Sequence, residues 1–303
     1  MTTCPMRIAS LAMLVVALGA TSRVRAQGTA LQYTSAVYAD AAGLALKAPE
    51  GVLCGPNDEL IVADTGNGRL VRFAVRQGAA TGGTEIRQAL IGSPVRLQRD
   101  PEQAIIVLDR KARQLIRLTA DGATAKAIAF AGVPTPSLVV PGAFRIDATG
   151  RLAVLDLASR RIVVTRADGQ FVRQLALPGL GGAFTDVYLA KTGALYTVDA
   201  VTAQVYVSED AVKPLHPFGL ALKDVAGFPE YMTGNDSGSL LLVDNHGSGI
   251  VVLGPDGSYR GRQLRMGWIE GLVYYPGQIC RTEDGSIVVA DRGNNRVQIF
   301  HLE

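Results

Sequence analysis

Six copies of one strand pattern recur along the chain, and each copy is marked by an Asp that ends a short apolar run. These residues are Asp64, Asp109, Asp156, Asp199, Asp244 and Asp291, at spacings of 45, 47, 43, 45 and 47 residues. In the last copy, residues 276–300, three short apolar segments rich in β-branched residues are separated by turns. A three-stranded unit of this size cannot bury both of its faces alone, so it needs neighbouring units.

Three further positions of the repeat are apolar in every copy. Four residues before the Asp stand Leu60, Ile105, Leu152, Leu195, Leu240 and Ile287. Six residues after it stand Leu70, Leu115, Ile162, Val205, Ile250 and Val297. Twelve residues before it stand Val52, Leu97, Phe144, Val187, Met232 and Ile279. A repeat of this length built only from short strands predicts the blades of an all-β propeller, whereas a helical repeat would show a 3.6-residue period.

The first copy, PEGVLCGPNDELIVADTGNGRLVRF, and the last, PGQICRTEDGSIVVADRGNNRVQIF, resemble NHL repeats. Both carry a D-x-G-N loop followed by an arginine, Arg69 or Arg296. The resemblance covers nearly all of the chain after about residue 30. It is weaker in the middle copies, and copy five has Gly249 where the arginine would stand. It implies a six-bladed β-propeller of four-stranded antiparallel blades, but no single function, because the fold hosts binders, sensors and enzymes.

Each of the first five copies is followed by a segment that we predict to be the outermost strand of its blade. These segments are residues 84–91, 124–131, 171–178, 212–219 and 258–265. The sixth copy has no such segment after it, but a similar one, LQYTSAVY, precedes the first copy at residues 31–38. We expect this N-terminal strand to complete the sixth blade and to close the ring by pairing the two ends of the chain.

Residues 1–26 have the pattern of a secretory signal peptide. Arg7 precedes a thirteen-residue apolar run, and residues 24–26 offer small side chains at the usual cleavage positions. The run is short for a membrane span, although an uncleaved anchor is the alternative. We therefore expect residues 27–303 to form a single propeller domain that is secreted or periplasmic.

The charge of the chain comes largely from that leader. The whole chain is +3, and residues 1–26 hold three arginines and no acid, which leaves 3 − 3 = 0 for the rest. A neutral domain gives no reason to expect nucleic acid or an anionic membrane as a partner. We expect a monomer that binds a small ligand, a peptide or a protein.

The sequence offers little for metal or covalent chemistry. His216, His246 and His301 are expected on an outer strand, a loop and the C-terminus, which does not suit a zinc site. No cofactor is predicted, but a calcium-like cation held near the channel is a possible alternative. Its candidate ligands are Asp186, Asn235, Asn245 and Glu270. The six repeated Asp residues are expected to be structural, each accepting backbone hydrogen bonds and meeting the Arg or Gln five residues on.

The candidate binding site lies on what we call the top face. This face carries the loops after each repeated Asp and the loops from each outer strand to the next inner strand; the other loops form the bottom face. Polar inner-strand residues expected near the channel are Arg96, Arg145, Asp186, Tyr188 and Tyr231. A long top loop, residues 265–276, adds Trp268, Glu270, Tyr274 and Tyr275. The functional interpretation is one ligand site at the channel mouth; the alternative is a channel lining whose side chains pair with one another.

These features predict an exported NHL-type propeller that binds a ligand or partner on its top face. The alternative is a propeller enzyme of the lactonase or lyase kind with a divalent cation in the channel. No G-x-S-x-G turn, phosphate loop or dinucleotide fingerprint is present in the sequence.

The ring also suggests a covalent link between its ends. Cys54 and Cys280 fall on the inner strands of the first and sixth copies, which the ring makes neighbours. They are offset by one residue, so they either face each other or both point away. A disulfide is one possibility in an exported protein, and two buried free thiols are the other.

Overall fold

Short antiparallel strands make up nearly all of the regular secondary structure in the described chain. The computed structural model describes Met1 and residues 30–302, apart from Leu180 and Asp236. Nearly all of the predicted signal peptide therefore lies outside the described residues. The described part forms six four-stranded sheets and two single-turn 3₁₀ helices, Thr65–Asn67 and Arg292–Asn294. This confirms the predicted six-bladed all-β propeller.

The strands follow one another from the inside of each blade to the outside. The first strand, β1 (Leu31–Val37), belongs to blade six. Blade one contains β2 (Gly51–Cys54), β3 (Glu59–Asp64), β4 (Arg69–Arg76) and β5 (Ala79–Ile86). Blade two contains β6 (Pro94–Arg99), β7 (Ile105–Asp109), β8 (Gln114–Leu118) and β9 (Ala125–Ala127). Blade three contains β10 (Pro141–Ile146), β11 (Leu152–Asp156), β12 (Arg161–Thr165) and β13 (Phe171–Ala176).

The remaining blades repeat this order. Blade four contains β14 (Phe184–Leu189), β15 (Leu195–Asp199), β16 (Gln204–Ser208) and β17 (His216–Pro217). Blade five contains β18 (Pro229–Gly234), β19 (Leu240–Asp244), β20 (Gly249–Leu253) and β21 (Tyr259–Gln263). Blade six contains β22 (Pro276–Arg281), β23 (Ile287–Asp291) and β24 (Arg296–Leu302), and β1 lies outermost.

The pairing of β1 with β24 closes the ring as the sequence predicts. The two strands are antiparallel, with Leu31 opposite Leu302 and Val37 opposite Val297. Tyr33 of β1 packs edge-on against Phe300 of β24, with ring centroids 6.3 Å apart. The two ends of the described chain thereby share one sheet, which leaves no open seam in the ring.

The apolar core lies between blades. Every residue in the three apolar columns is buried. The clusters that they form are each shared by two neighbouring blades: Ile61 of blade one packs in the same cluster as Val107 of blade two, for example. The middle strands are buried on both faces, which is why one copy of the repeat cannot form a core alone.

The first outer strand departs from its prediction. We expected it at residues 84–91, whereas β5 spans Ala79–Ile86. The chain turns back directly after β4 through Gln77 and Gly78, which have φ angles of 50° and 72°. Two residues with positive φ form a tight hairpin turn. The following segment is rich in Gly and Ala, which have low β-propensity, so the sequence gives little sign of a strand there.

The repeated Asp residues tie the top loops together. Each is buried and accepts hydrogen bonds from backbone N–H groups of the preceding outer-to-inner loop. Asp109, for example, accepts from Gly92 and Ser93 at 2.7 Å each. In copies one, three and six the arginine five residues on donates its Nε to the same carboxylate, at 2.8, 2.9 and 2.7 Å. In copy four the prediction is wrong, because Gln204 donates to the carbonyls of Val205 and Gly219 instead.

Copy five replaces the missing arginine from another strand. Arg262 of β21 donates Nη1 to Asp244 Oδ2 at 2.9 Å. A Cβ atom on Gly249 would lie only 2.8 Å from Arg262 Nε, so the small residue makes room for this guanidinium. Arg262 therefore provides the cation that is missing at position 249 of the repeat.

We expect Arg262→Ala to lower the free energy of unfolding by about 2–3 kcal/mol, because Asp244 would remain buried without its cation. The matched control is Arg260→Ala in the same strand, which removes an exposed pair with Asp256 and should cost no more than about 0.5 kcal/mol. Urea denaturation of both variants gives the comparison. Equal decreases in the free energy of unfolding for the two variants would contradict the role of Arg262 as the cation partner of Asp244.

Blades one and six are also joined covalently. Cys54 of β2 and Cys280 of β22 form a disulfide, with their Cα atoms 5.6 Å apart and 226 residues between them in sequence. The two side chains thus face each other between neighbouring inner strands. This link and the β1–β24 pairing both connect the first blade to the last.

We expect protein that lacks residues 1–26 to show no reactive thiol when it is denatured without reductant. That segment holds Cys4, and the other two cysteines are Cys54 and Cys280. Reduction before denaturation is the control and should release two thiols per chain. Two thiols in the unreduced sample would contradict the disulfide.

Candidate functional site

Charged and aromatic side chains from four inner strands meet in the central channel. Arg145 of β10 donates Nη2 to Asp186 Oδ2 of β14 at 3.2 Å. The ring of Tyr231, on β18, lies beneath two guanidinium groups, with Cζ of Arg145 at 4.5 Å and Cζ of Arg96 at 5.5 Å from its centroid. All four side chains are buried. The structure therefore brings together four of the five inner-strand residues that the sequence singles out.

These side chains also bond across the channel to the backbone of blade five. Arg96 Nη2 donates to the carbonyl of Glu230 at 2.9 Å, and Arg145 donates to the carbonyl of Met232. The N–H of Met232 donates to Asp186 Oδ2 at 2.7 Å. Below the mouth, the channel is thus filled by side chains that bind one another and the backbone.

A further cross-channel residue is Gln278, which was not among the predicted site residues. Its side-chain amide pairs with both backbone groups of Leu97, accepting from the N–H at 3.0 Å and donating to the carbonyl at 2.7 Å. Gln278 belongs to blade six and Leu97 to blade two, so the bond passes over blade one. The sequence could have indicated this role, because Gln278 stands one residue before the apolar column, as Arg96, Asp186 and Tyr231 do.

The buried cluster carries more positive than negative charge. Asp186 is the one carboxylate beside these two arginines; it pairs with Arg145, and its Oδ1 has no hydrogen-bond partner among the described residues. Burial raises the pKa of Asp186, and the positive charges of Arg145 and Arg96 oppose this increase. Ionised, the three groups sum to one positive charge, and Arg96 is the one without an ion-pair partner in the described chain.

We expect Asp186→Asn to lower the free energy of unfolding by about 3 kcal/mol, because the buried guanidinium of Arg145 would lose its carboxylate partner. The matched control is Asp121→Asn in an exposed turn, which should cost less than about 1 kcal/mol. Chemical denaturation measures both changes. An Asp186→Asn protein as stable as the control would show that the pair contributes little.

A cavity opens on the top face directly above this cluster. Its volume is about 410 Å³. Its lining comprises Glu50, Val95, Arg96, Leu108, Arg110, Arg113, Val140, Pro141, Gly142, Leu157, Phe184, Thr185 and Glu230. Arg110 holds Glu50 through two bonds, Nη1 to Oε2 at 2.9 Å and Nη2 to Oε1 at 2.6 Å.

The rim of the cavity includes residues from the repeat position that directly follows the repeated Asp. The residues directly after the repeated Asp are Thr65, Arg110, Leu157, Ala200, Asn245 and Arg292. Thr65 and Asn245 each donate to the first inner-strand carbonyl of the next blade, at 2.6 and 3.1 Å. Arg110 and Leu157 line the cavity instead. A comparison of this column across the six copies would have found both.

The other predicted site residues lie elsewhere. Tyr188 is half-buried beside Tyr196, with ring centroids 6.1 Å apart. Trp268, Tyr274 and Tyr275 form a chain of ring contacts on the long top loop, at 5.8 and 4.4 Å between centroids. Glu270 on the same loop accepts a bond from the Tyr38 hydroxyl at 2.9 Å. None of these residues lines the cavity. The ring contacts of the long loop continue from Tyr275 through His246 to Phe228, two residues before Glu230 of the cavity lining.

The four candidate cation ligands do not converge. Asp186 is engaged in the channel, and Asn235 accepts backbone bonds from Ser237 and Ser239 in a bottom turn. Asn245 donates to the carbonyl of Pro276, and Glu270 lies on the long loop. Within the part of the chain that the structure describes, no three His, Cys, Asp or Glu residues are grouped so as to hold a metal ion.

Exposed apolar side chains are concentrated on the top face. Apart from Met1, the described residues include fourteen large exposed apolar side chains, and eleven lie in top loops. The eleven are Tyr38, Leu44, Leu90, Leu138, Leu157, Val201, Leu220, Met266, Trp268, Ile269 and Tyr275. The other three are Val172 and Tyr259 on outer strands and Val212 in a bottom loop.

Charge is divided between the same two faces. The described top loops hold nine basic residues against four acidic ones. The basic ones are Lys47, Arg87, Arg110, Lys111, Arg113, Arg160, Lys223, Arg265 and Arg292, and the acidic ones are Asp40, Glu50, Asp224 and Glu270. The described bottom loops reverse this ratio with four basic and eleven acidic residues. The basic ones are Arg151, Arg166, Lys191 and Lys213, and the acidic ones are Asp58, Asp100, Glu102, Asp121, Asp147, Asp168, Glu209, Asp210, Asp256, Glu283 and Asp284.

Comparison with known proteins agrees with the repeat and the fold. The NHL repeat family model matches residues 273–300, which contain the sixth copy. The chain is thus a six-bladed β-propeller that carries an NHL repeat. Comparison with curated protein sequences gave no significant match. Among the described residues, no helix is long and apolar enough to cross a membrane.

Solved structures with similar folds have varied functions. A gluconolactonase from Xanthomonas campestris has a TM-score of 0.68 at 14% identity, over 91% of this chain and 96% of that one. A virginiamycin B lyase from Staphylococcus aureus has a TM-score of 0.61 at 14% identity, over 84% and 95%. A chain of the nidogen/laminin complex has a TM-score of 0.59 at 18% identity, over 72% and 80%. At these identities the likeness concerns the fold alone.

Proposed function

We propose that this protein is an exported binding propeller whose top face takes a protein partner with an acidic surface that also presents apolar side chains. The observation that carries the proposal is the concentration of exposed apolar residues in the top loops. Propellers present loops from all of their blades on one face, so such a face can bury an extended partner surface.

The strongest part of this face is the loop between blades five and six. Trp268 and Ile269 are 73% and 71% exposed, and Met266 beside them is 51% exposed. The loop itself is held in place, because Arg296 donates to the carbonyls of Ile269 and Leu272 at 2.7 and 2.9 Å. Exposed aromatic residues on a supported backbone are typical of the few side chains that dominate protein–protein affinity.

Charge favours an acidic partner. The excess of Lys and Arg in the top loops would attract a negative surface, and the acidic bottom loops would repel it. Large apolar side chains among these charges suit a protein surface better than a nucleic acid. The partner is therefore expected to bind in one orientation, with its affinity decreasing as salt increases.

Export is supported by the leader pattern and by the disulfide. Residues 1–26 carry the signal-peptide pattern, and Cys54 and Cys280 are bonded to each other. Disulfides persist mainly in oxidising compartments. We therefore propose that the protein acts outside the cytoplasm, where its partner would also be found.

The alternative of a lactonase- or lyase-like enzyme receives less support from the channel. Its polar side chains are bonded to one another and to blade five, and the four candidate cation ligands lie in four separate places. The similar enzymes have the same fold but only 14% sequence identity to this chain. Their activities cannot be assigned to this chain on the basis of the fold.

The proposal predicts face-specific crosslinking. A photoreactive phenylalanine analogue placed at Trp268 should capture a defined protein from an extract of the cells that produce this chain, whereas the same analogue at Val212 on the bottom face should not. The captured protein is then purified and titrated with the propeller. We expect Trp268→Ser to weaken this binding at least about tenfold, which is typical of a hot-spot residue.

Val212→Ser provides the matched control, because it also removes an exposed apolar side chain, and it should leave the affinity unchanged. Affinity should fall between 50 and 300 mM salt. Equal effects of the two substitutions, capture at Val212 alone, or capture of nucleic acid at Trp268 would contradict the proposal.

A further inference from the structure

We infer that the cavity at the top mouth of the channel binds a small organic acid, whose carboxylate is held by Arg96 and Arg113 and whose apolar part lies against the opposite wall. Trp268 and its neighbours on the long loop do not line this cavity, so the inference does not depend on the protein partner proposed above. It assigns a ligand class to a cavity whose chemistry is visible in its lining.

Arg96 provides unused hydrogen-bonding capacity at the floor of the cavity. The residue is only 8% exposed, yet it makes no ion pair within the described chain. Of its five N–H groups, two are used: Nη1 donates to Val95 O at 3.2 Å and Nη2 to Glu230 O at 2.9 Å. Nε has no partner among the described residues. A buried guanidinium without a carboxylate is costly, and an anionic ligand would reduce that cost.

The charges around the cavity leave one positive charge uncompensated. Three arginines line the cavity, Arg96, Arg110 and Arg113, against two acids, Glu50 and Glu230. Glu50 is already held by Arg110 through two bonds. Arg96 and Arg113 therefore remain against the single carboxylate of Glu230. Arginine is well suited to carboxylates, because its planar guanidinium can donate two parallel hydrogen bonds.

The rest of the lining is apolar and would accept a hydrocarbon group. Val95, Leu108, Val140, Leu157 and Phe184 contribute to the wall. The cavity volume of about 410 Å³ exceeds that of a six- to eight-carbon acid and lies within the range of small-molecule sites. Arginines at the bottom of the cavity and apolar residues on its wall should bind an amphipathic anion more tightly than inorganic phosphate. Phosphate would leave the apolar residues in contact with water.

Titration calorimetry with hexanoate tests the inference, and hexanamide serves as the uncharged probe of the same shape. For so small a ligand we expect a dissociation constant on the order of 1 mM at low salt. Hexanamide and inorganic phosphate should each bind at least about tenfold more weakly, because one lacks the charge and the other lacks the apolar part.

Variants of two exposed residues and of the half-buried Glu230 locate the site without disturbing the core. Arg113→Ala should weaken hexanoate binding about three- to tenfold. The matched control is Lys111→Ala in the same loop, which removes the same charge outside the cavity lining and should change binding less than twofold. Glu230→Gln removes the repelling carboxylate and should strengthen binding about three- to fivefold.

Arg96→Gln should abolish the preference for hexanoate over hexanamide, provided that its melting curve shows a folded protein. Equal affinity for the acid and the amide in the wild type, no binding of hexanoate at 10 mM, equal effects of Arg113→Ala and Lys111→Ala, or weaker binding by Glu230→Gln would each overturn the inference. The Trp268→Ser variant should bind hexanoate normally, so a failure of this proposal is distinguishable from a failure of the proposed protein-binding function.

Discussion

The structure depends on a buried carboxylate that recurs once in every blade. Each repeated Asp ends the second strand of its blade and accepts N–H groups from the loop that enters from the preceding blade. A buried carboxylate with several donors stabilises its surroundings, whereas one without them would be unfavourable. One side chain per blade thus links two successive top loops across 16 or 17 residues of sequence. The apolar columns form the core, and these carboxylates organise the face above it.

This arrangement explains why the two faces differ. Bottom turns are local, and an Asp or Asn within the turn binds its own backbone, as Asp147 does with Thr149 and Arg151 and as Asn235 does with Ser237 and Ser239. Top loops are held from below by the repeated Asp, so their outward residues need not stabilise the fold. Exposed apolar and basic residues are concentrated there, and the proposed binding function depends on this concentration.

The fold could be predicted from the sequence because equivalent positions are buried in every copy of the repeat. The same three positions must be apolar in all six blades, and six instances make the pattern unmistakable in the sequence. Ring closure followed from the missing outer strand of the last copy. The first outer strand was misplaced, because a tight turn at Gln77 and Gly78 precedes a segment of low β-propensity.

The site was less predictable, because it depends on departures from the repeat rather than on the repeat itself. Arg96, Arg145, Asp186 and Tyr231 stood out as polar residues on inner strands, and the structure brings them together. Spacing alone could not show that Arg96 and Arg145 would bond to the backbone of blade five, nor that Trp268 would lie outside the cavity lining. The rim residues Arg110 and Leu157 were overlooked, although they occupy equivalent positions in the repeat. The division of charge between the faces becomes visible only when each loop is assigned to a face.

Hydrogen exchange on an Asp156→Ala variant tests most directly whether the repeated carboxylates organise the top face. Asp156 accepts from the N–H groups of Val140 and Ala158, both on top. Loss of a hydrogen bond to a charged group should accelerate exchange at these two amides about tenfold or more. The turn at residues 147–151, on the bottom of the same blade, should exchange as it does in the wild type. Equal acceleration at both ends of the blade, or none at Val140 and Ala158, would contradict this account.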